Sequence, residues 1–289
     1  MQAELIFDAK AELGEGPAWD AKTQTLYWVG ILDKRVYSKT QVLAQLEGMP
    51  GCLAPCKNGH LILAVTSGNG RSSFVEFDPA SGGQTVLSSL DSELPSNRFN
   101  DGKCDPAGRF LAGTMDLGKK APSGSLYSFD GRNTMRLLDN VTISNGLAWS
   151  PDHKTFYYID TPTRAMRAFD YDVATGQIAN GRVAIRFAES LGWPDGMTSD
   201  TQGNLWVAMW GSAQITKWDP KAGKLLEQIP VPALHTSSCV FGGRDMNELY
   251  VTSAREDMSG ADLKKYPLSG GLFKIQTSVA GMPTFEFGR

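Results

Sequence analysis

DGMTSDTQGNLWVAM, residues 195–209, reads as an acidic side chain, a glycine, a short apolar strand, a turn rich in Asp and Gly, and a second apolar strand. The same order recurs in GPAWDAKTQTLYWV (16–29), DGKCDPAGRFLAGT (101–114) and NGLAWSPDHKTFYYI (145–159). Tight hairpins favour such Asp, Pro, Gly and Asn turns, because these residues adopt turn backbone angles readily or bond back to their own main chain. Two weaker copies, GCLAPCKNGHLILAV (51–65) and SCVFGGRDMNELYVT (238–252), fill the wide gaps. Anchors near 16, 52, 102, 146, 196 and 240 are then 36, 50, 44, 50 and 44 residues apart. Six units of this period in 289 residues fit the four-stranded blades of a propeller.

The units continue alike, with third and fourth strands such as SGSLYSFDG (123–131), RAMRAFDYD (164–172) and AQITKWDP (213–220). A parallel α/β chain would need amphipathic helical stretches between its strands, and none of convincing length occurs. The fold expected is all-β, a six-bladed β-propeller with a central channel, formed by residues 1–289 as a single domain. AELIFDAKAEL (3–13) reads as a strand without a local partner, and GGLFKIQTS (270–278) as the end of the last blade. Their pairing would close the ring and remove the open edge that sheet proteins must protect.

Composition bounds the function. With 41 % hydrophobic residues and a net charge of −3, the chain has an ordinary globular core and no basic patch for nucleic acid. MQAELIFDAK carries charges on both sides of a very short apolar run, so it reads as neither a secretion signal nor a membrane span, and the cytoplasm is the expected location. Cys52, Cys56, Cys104 and Cys239 are too irregularly spaced for a zinc pattern and read as small apolar fillers of inner strands. His60, His153 and His235 read as solvated turn residues, none with a second histidine nearby. There is no nucleophile elbow, HExxH helix, Walker loop or dinucleotide fingerprint.

What remains is a set of oxygen-bearing residues ahead of glycines: Glu15-Gly16, Asn100-Asp101-Gly102, Asn145-Gly146 and Asp195-Gly196. One such pair is explained by turn initiation, but four in register on successive repeats would converge on the propeller axis. Side chains offering only oxygen suit a hard divalent cation: calcium first, with zinc, manganese or magnesium as alternatives. A site with few protein ligands keeps positions open for water and substrate.

LGEGPAWD (13–20), RFNDGKCDPAGRFLAGTMD (98–116), ISNGLAWSPD (143–152) and WPDGMTSDTQGNLWVAMWG (193–211), in that order, resemble the gluconolactonase and regucalcin family, the senescence-marker-protein-like sugar lactonases. The resemblance covers essentially the whole chain. It implies one divalent cation at the mouth of the channel and hydrolysis of a sugar lactone. It places Glu15, Asn145 and Asp195 as metal ligands, Asn100 as a ligand or water-mediated contact, and Arg98, Asn100 and Asp101 at substrate-binding positions. Asp195 is the expected general base and catalytic residue. The expected partner is a small-molecule lactone, with no nucleic acid or membrane, and the expected state is a monomer. Two other readings share the fold: a phosphotriester or fluorophosphate hydrolase like the diisopropyl fluorophosphatase group, and a calcium-binding regulatory propeller. The chain departs from animal members after Thr114-Met115, where Asp116 and Leu117 stand in place of a pattern carrying a sugar-contacting glutamate. The loop 118–124, with Lys119 and Lys120, reads as an ordinary solvated loop or as a cover for the channel mouth, the former preferred. Trp193 and Trp210 suit either an aromatic wall for a sugar ring or packing inside the blade.

Overall fold

In the computed structural model, which describes residues 1–91 and 93–288, the repeats fold as four-stranded antiparallel sheets, six in all, arranged as the blades of a propeller. The innermost strands are Gly14–Asp20, Met49–Pro55, Asn97–Cys104, Ser144–Trp149, Trp193–Ser199 and His235–Gly242. We number the blades one to six in that order. Blade six takes its outermost strand from the other end of the chain: Ala3–Phe7 pairs antiparallel with Leu272–Gln276, Ala3 opposite Ile275. Among the described residues, the only α-helix is Gly260–Lys265, and no helix is long and apolar enough to cross a membrane.

Asp side chains close the hairpins between the first and second strands of several blades. Asp20, Asp105 and Asp200 each accept from the backbone N–H two residues on, at 2.9, 2.9 and 3.0 Å, so the turn carries its own hydrogen bond. Beyond these turns the strands bury aromatic side chains between neighbouring blades. Phe74 of blade two, for example, stacks on Phe129 of blade three at 4.8 Å and packs against Phe99 and Phe110.

Every innermost strand has a register shift at the equivalent place: Glu15/Ala18, Pro50/Cys52, Phe99/Gly102, Asn145/Leu147, Pro194/Met197 and Thr236/Ser238. A bulge there re-aims side chains toward the axis. In three blades the acidic residue also closes the bulge it stands beside. Glu15 accepts from the Gly16 N–H at 2.9 Å and Asp101 from the Gly102 N–H at 2.8 Å, while Asp195 accepts from Gly196. The acid–glycine pairs therefore lie inside strands and satisfy backbone donors that the ladder leaves unmatched, rather than starting turns ahead of them.

The glycines let adjacent innermost strands approach. A Cβ on Gly51 would meet Phe99 and Asn100 backbone atoms at 2.6–2.7 Å, and one on Gly146 would lie 2.8 Å from the Asp195 carbonyl. At the far end of the channel the tail crosses several blades, with Met282 donating to Ser199, Phe287 to Pro55 and Gly288 to Gly108. Residues 282–285 line a small axial cavity of about 30 Å³ together with side chains from all six innermost strands, Lys103 among them.

Backbone at 2.6 Å from a new methyl cannot yield as a side-chain tip does. Gly51→Ala should therefore destabilise the protein by about 1–3 kcal/mol in urea unfolding. Gly260→Ala has open space around the added Cβ in the first turn of the helix, and should be neutral or stabilising by up to about 1 kcal/mol. Equal effects of the two substitutions would show that strand approach does not limit the axis.

Candidate active site at the channel mouth

Opposite the tail, the axis opens into a cavity of about 340 Å³. Its wall includes Glu15, Arg98, Asn100, Asn145 and Asp195, five of the six residues singled out in the sequence. All five are buried side chains brought there by strands of blades one, three, four and five. Asp101 departs from the expectation. It does not line this cavity; the bulge between Phe99 and Gly102 sets it apart from its neighbour Asn100, and its field reaches Lys103 as well as Glu15. Its charge nevertheless acts on both Glu15 and Asp195.

The polar groups of the wall form a connected set. Arg98 Nη1 donates to Asn100 Oδ1 at 2.7 Å and to the Phe99 carbonyl at 2.9 Å. Asn100 Nδ2 donates to the Ser144 carbonyl at 2.8 Å and to Asn145 Oδ1 at 2.9 Å. Asn145 Nδ2 donates to Thr161 Oγ1 at 2.8 Å. Asp195 Oδ1 stands outside this set: it is buried and, among the described residues, accepts no hydrogen bond.

Burial and mutual repulsion dominate the electrostatics. The Glu15 carboxyl is pushed up to about 8, first by burial and then by the charge of Asp101. Burial, then Glu15 and Asp101, push Asp195 well above the usual carboxylate range. Burial pushes the Arg98 guanidinium down, opposed by Glu256, Glu15 and Asp195. A carboxylate oxygen without a partner, a second carboxylate beside it and a carboxamide oxygen make a donor set that fits a hard divalent cation. The set is mixed: among the described residues, no three His, Cys, Asp or Glu side chains come together as a metal cluster.

The rim holds residues that the repeat pattern did not reveal. Glu256 and Asp257, from the loop after the second strand of blade six, line the cavity, and Lys119 bridges to them at 2.7 and 2.9 Å. The preferred reading of loop 118–124 as merely solvated is thus corrected. It reaches across the mouth from blade three to blade six, and Asp116 Oδ2 braces it by accepting from Lys120 N at 3.2 Å and Ala121 N at 3.4 Å. Leu117 is half exposed on the blade-three side, and the rim carboxylates Glu256 and Asp257 come from blade six. Trp193 and Trp210 both line the cavity, and the Arg164 guanidinium lies 3.5 Å over the Trp193 ring. His235 is also corrected. It is buried in a strand, stacks on Trp210 at 4.2 Å, and its Nδ1 has no partner among the described residues. His60 bonds Glu76 at 3.0 Å, and His153 meets Phe285 edge-on. The four cysteines are free and buried, as read from their spacing.

A closed six-bladed ring with an oxygen-lined cavity at one mouth defines a β-propeller whose candidate site lies on the axis. Residues 13–255 match the model of the SMP-30/Gluconolactonase/LRE-like region, and the chain belongs to that family. It is 38% identical to regucalcin of Danio rerio over 296 residues, covering 99% of this chain and 98% of the relative. A solved calcium-binding protein, regucalcin of Agrobacterium tumefaciens, superposes with a TM-score of 0.91 at 28% identity, covering 99% of this chain and 96% of the other. A luciferin-regenerating enzyme superposes at 0.89 with 30% identity, covering 99% of both chains.

The raised Glu15 carboxyl has a direct consequence for pH. From about 4.5, where an unfolded Glu15 loses its proton, to about 8, where the folded one does, the folded state binds more protons, so stability falls as pH rises. Chelator-stripped protein should lose melting temperature across that window, and Glu15→Gln should flatten the slope. Equal slopes in wild type and Glu15→Gln would mean that Glu15 does not titrate in this window.

Proposed function

We propose that the protein is a divalent-cation-dependent hydrolase that opens a sugar lactone, a five- or six-membered aldonolactone, to its aldonic acid. The observation that carries this reading is the partnerless Oδ1 of buried Asp195 beside Glu15, in a cavity that also holds the Arg98 guanidinium. Family membership supports it, since gluconolactonase stands in the family's description. Glu15, Asn145 and Asp195 are the residues that would hold the cation, with calcium first among the candidates. Asn100, whose Oδ1 already accepts from Arg98, would stand one water away. When bound, the cation supplies Lewis acidity toward a carbonyl oxygen that gains negative charge.

The chain's own groups do the rest. Asp195, whose buried Oδ1 accepts no hydrogen bond among the described residues, would accept the proton of the attacking water. Arg98 uses the donors not spent on Asn100 and Phe99 to hold substrate oxygens. Glu256 accepts from sugar hydroxyls on the opposite rim, and Trp193 and Trp210 offer apolar faces to the ring and exclude water. This density of donors and acceptors suits a polyhydroxylated ring better than an apolar phosphotriester. A calcium-binding role, the one given for the Agrobacterium tumefaciens protein, would use the same residues and separates from this reading on turnover alone.

The test is hydrolysis of D-glucono-, D-galactono-, L-arabinono- and D-xylono-lactone and one phosphotriester by chelator-stripped protein with single divalent cations restored. One or more lactones should turn over only with cation, and Asp195→Ala should lose about 10²–10⁴-fold in rate. Tight calcium binding without turnover of any lactone would contradict the enzyme reading and leave the binding role.

A further inference from the structure

We propose that Thr161 is a positioning residue of the cavity. It fixes which end of the Asn145 carboxamide faces the cation position, and it ties that carboxamide to the strand carrying Asp195. The inference rests on the reading above, in which Glu15, Asn145 and Asp195 hold the cation.

A carboxamide has two ends of nearly the same shape, and only the oxygen end can bind a cation. Something must choose between them, and the choice is made by a one-way run of hydrogen bonds. The guanidinium of Arg98 can only donate, so Asn100 must show it Oδ1. Asn100 then turns Nδ2 toward blade four, where the Ser144 carbonyl, which can only accept, confirms that orientation at 2.8 Å. Asn145 meets this donor with Oδ1 and has Nδ2 left for Thr161 Oγ1 at 2.8 Å. The single hydroxyl proton of Thr161 goes to the Pro194 carbonyl at 2.8 Å, another group that can only accept, so its oxygen is committed as an acceptor for Asn145. The run thus starts at a pure donor on blade three, ends at a pure acceptor on blade five, and leaves Asn145 no second arrangement.

Thr161 is held for this purpose. It opens the 3-10 turn Thr161–Thr163 just after the second strand of blade four, is buried, and is followed by Pro162, whose ring limits the backbone. Pro194 immediately precedes Asp195 in the chain. The same hydroxyl therefore restrains one ligand through its side chain and a second through its main chain.

Calcium titration by calorimetry on full-length chelator-stripped protein tests this, with activity not required. Thr161→Val keeps the shape but neither accepts nor donates, and should weaken calcium binding by about 10–100-fold, whereas Thr161→Ser should restore it. In an Asn145→Asp background both ends of the side chain are oxygen and no choice is needed. There the Thr161→Val step should cost clearly less affinity than in wild type, the remainder reporting the tie to Pro194, which separates the choice of carboxamide end from packing. Equal binding by wild type and Thr161→Val would overturn the inference, as would an equal loss in both backgrounds or in Thr161→Ser. If wild type itself bound no divalent cation, the underlying reading would fail instead, an outcome read directly from the wild-type titration.

Discussion

Glu15, Asp101 and Asp195 are buried within electrostatic reach of one another on the axis of the ring, and this crowding of negative charge is the constraint on which the site depends. Carboxylates out of water and beside each other resist ionisation unless positive charge is supplied. Lys103 supplies it for Asp101 from below, and is itself pushed down by burial. Arg98 sits among Glu15, Asp195 and Glu256 at the upper level. Asp195 still has an oxygen without a partner, a deficit that the proposed divalent cation would answer in charge and hardness.

The fold delivers this crowding by a local device repeated around the ring. Each innermost strand bulges at the same level, and in blades one, three and five the acid takes the N–H of the glycine that follows it. The glycine in turn admits the neighbouring strand: a Cβ on Gly196 would lie 2.8 Å from the Ser238 Cα, and one on Gly16 would lie 3.1 Å from the Cys52 Cα. Structure and chemistry thus share the same dipeptides. Their positions answer to strand packing as well as to any ligand.

That sharing explains what the sequence revealed. The bulge dipeptides recur with the blade period, so Glu15, Asn145 and Asp195 stood out against apolar strands, as did the six-bladed architecture itself. Asp101 did not show its side of the bulge, because an extra residue breaks the two-residue alternation from which a strand's faces are read. Lys119, Glu256 and Asp257 lie on loops outside the repeat, and their meeting depends on blades three and six being brought together across the mouth. Thr161 sits in a short turn and looks like any Thr-Pro step until Asn145 and Pro194 are placed on either side of it. His235 misled because a histidine between Leu234 and Thr236 resembles a loop residue, whereas stacking on Trp210 holds it in the strand.

The most direct test of the central claim is to locate the cation by anomalous scattering from a crystal of the full chain grown with manganese. The account predicts one strong peak at the channel mouth, within direct coordination distance of Glu15, Asn145 and Asp195 and clear of Asp101. A well-ordered cavity without a peak, in protein that turns over lactone, would contradict it, because the buried carboxylates would then be doing the chemistry without the charge assigned to compensate them.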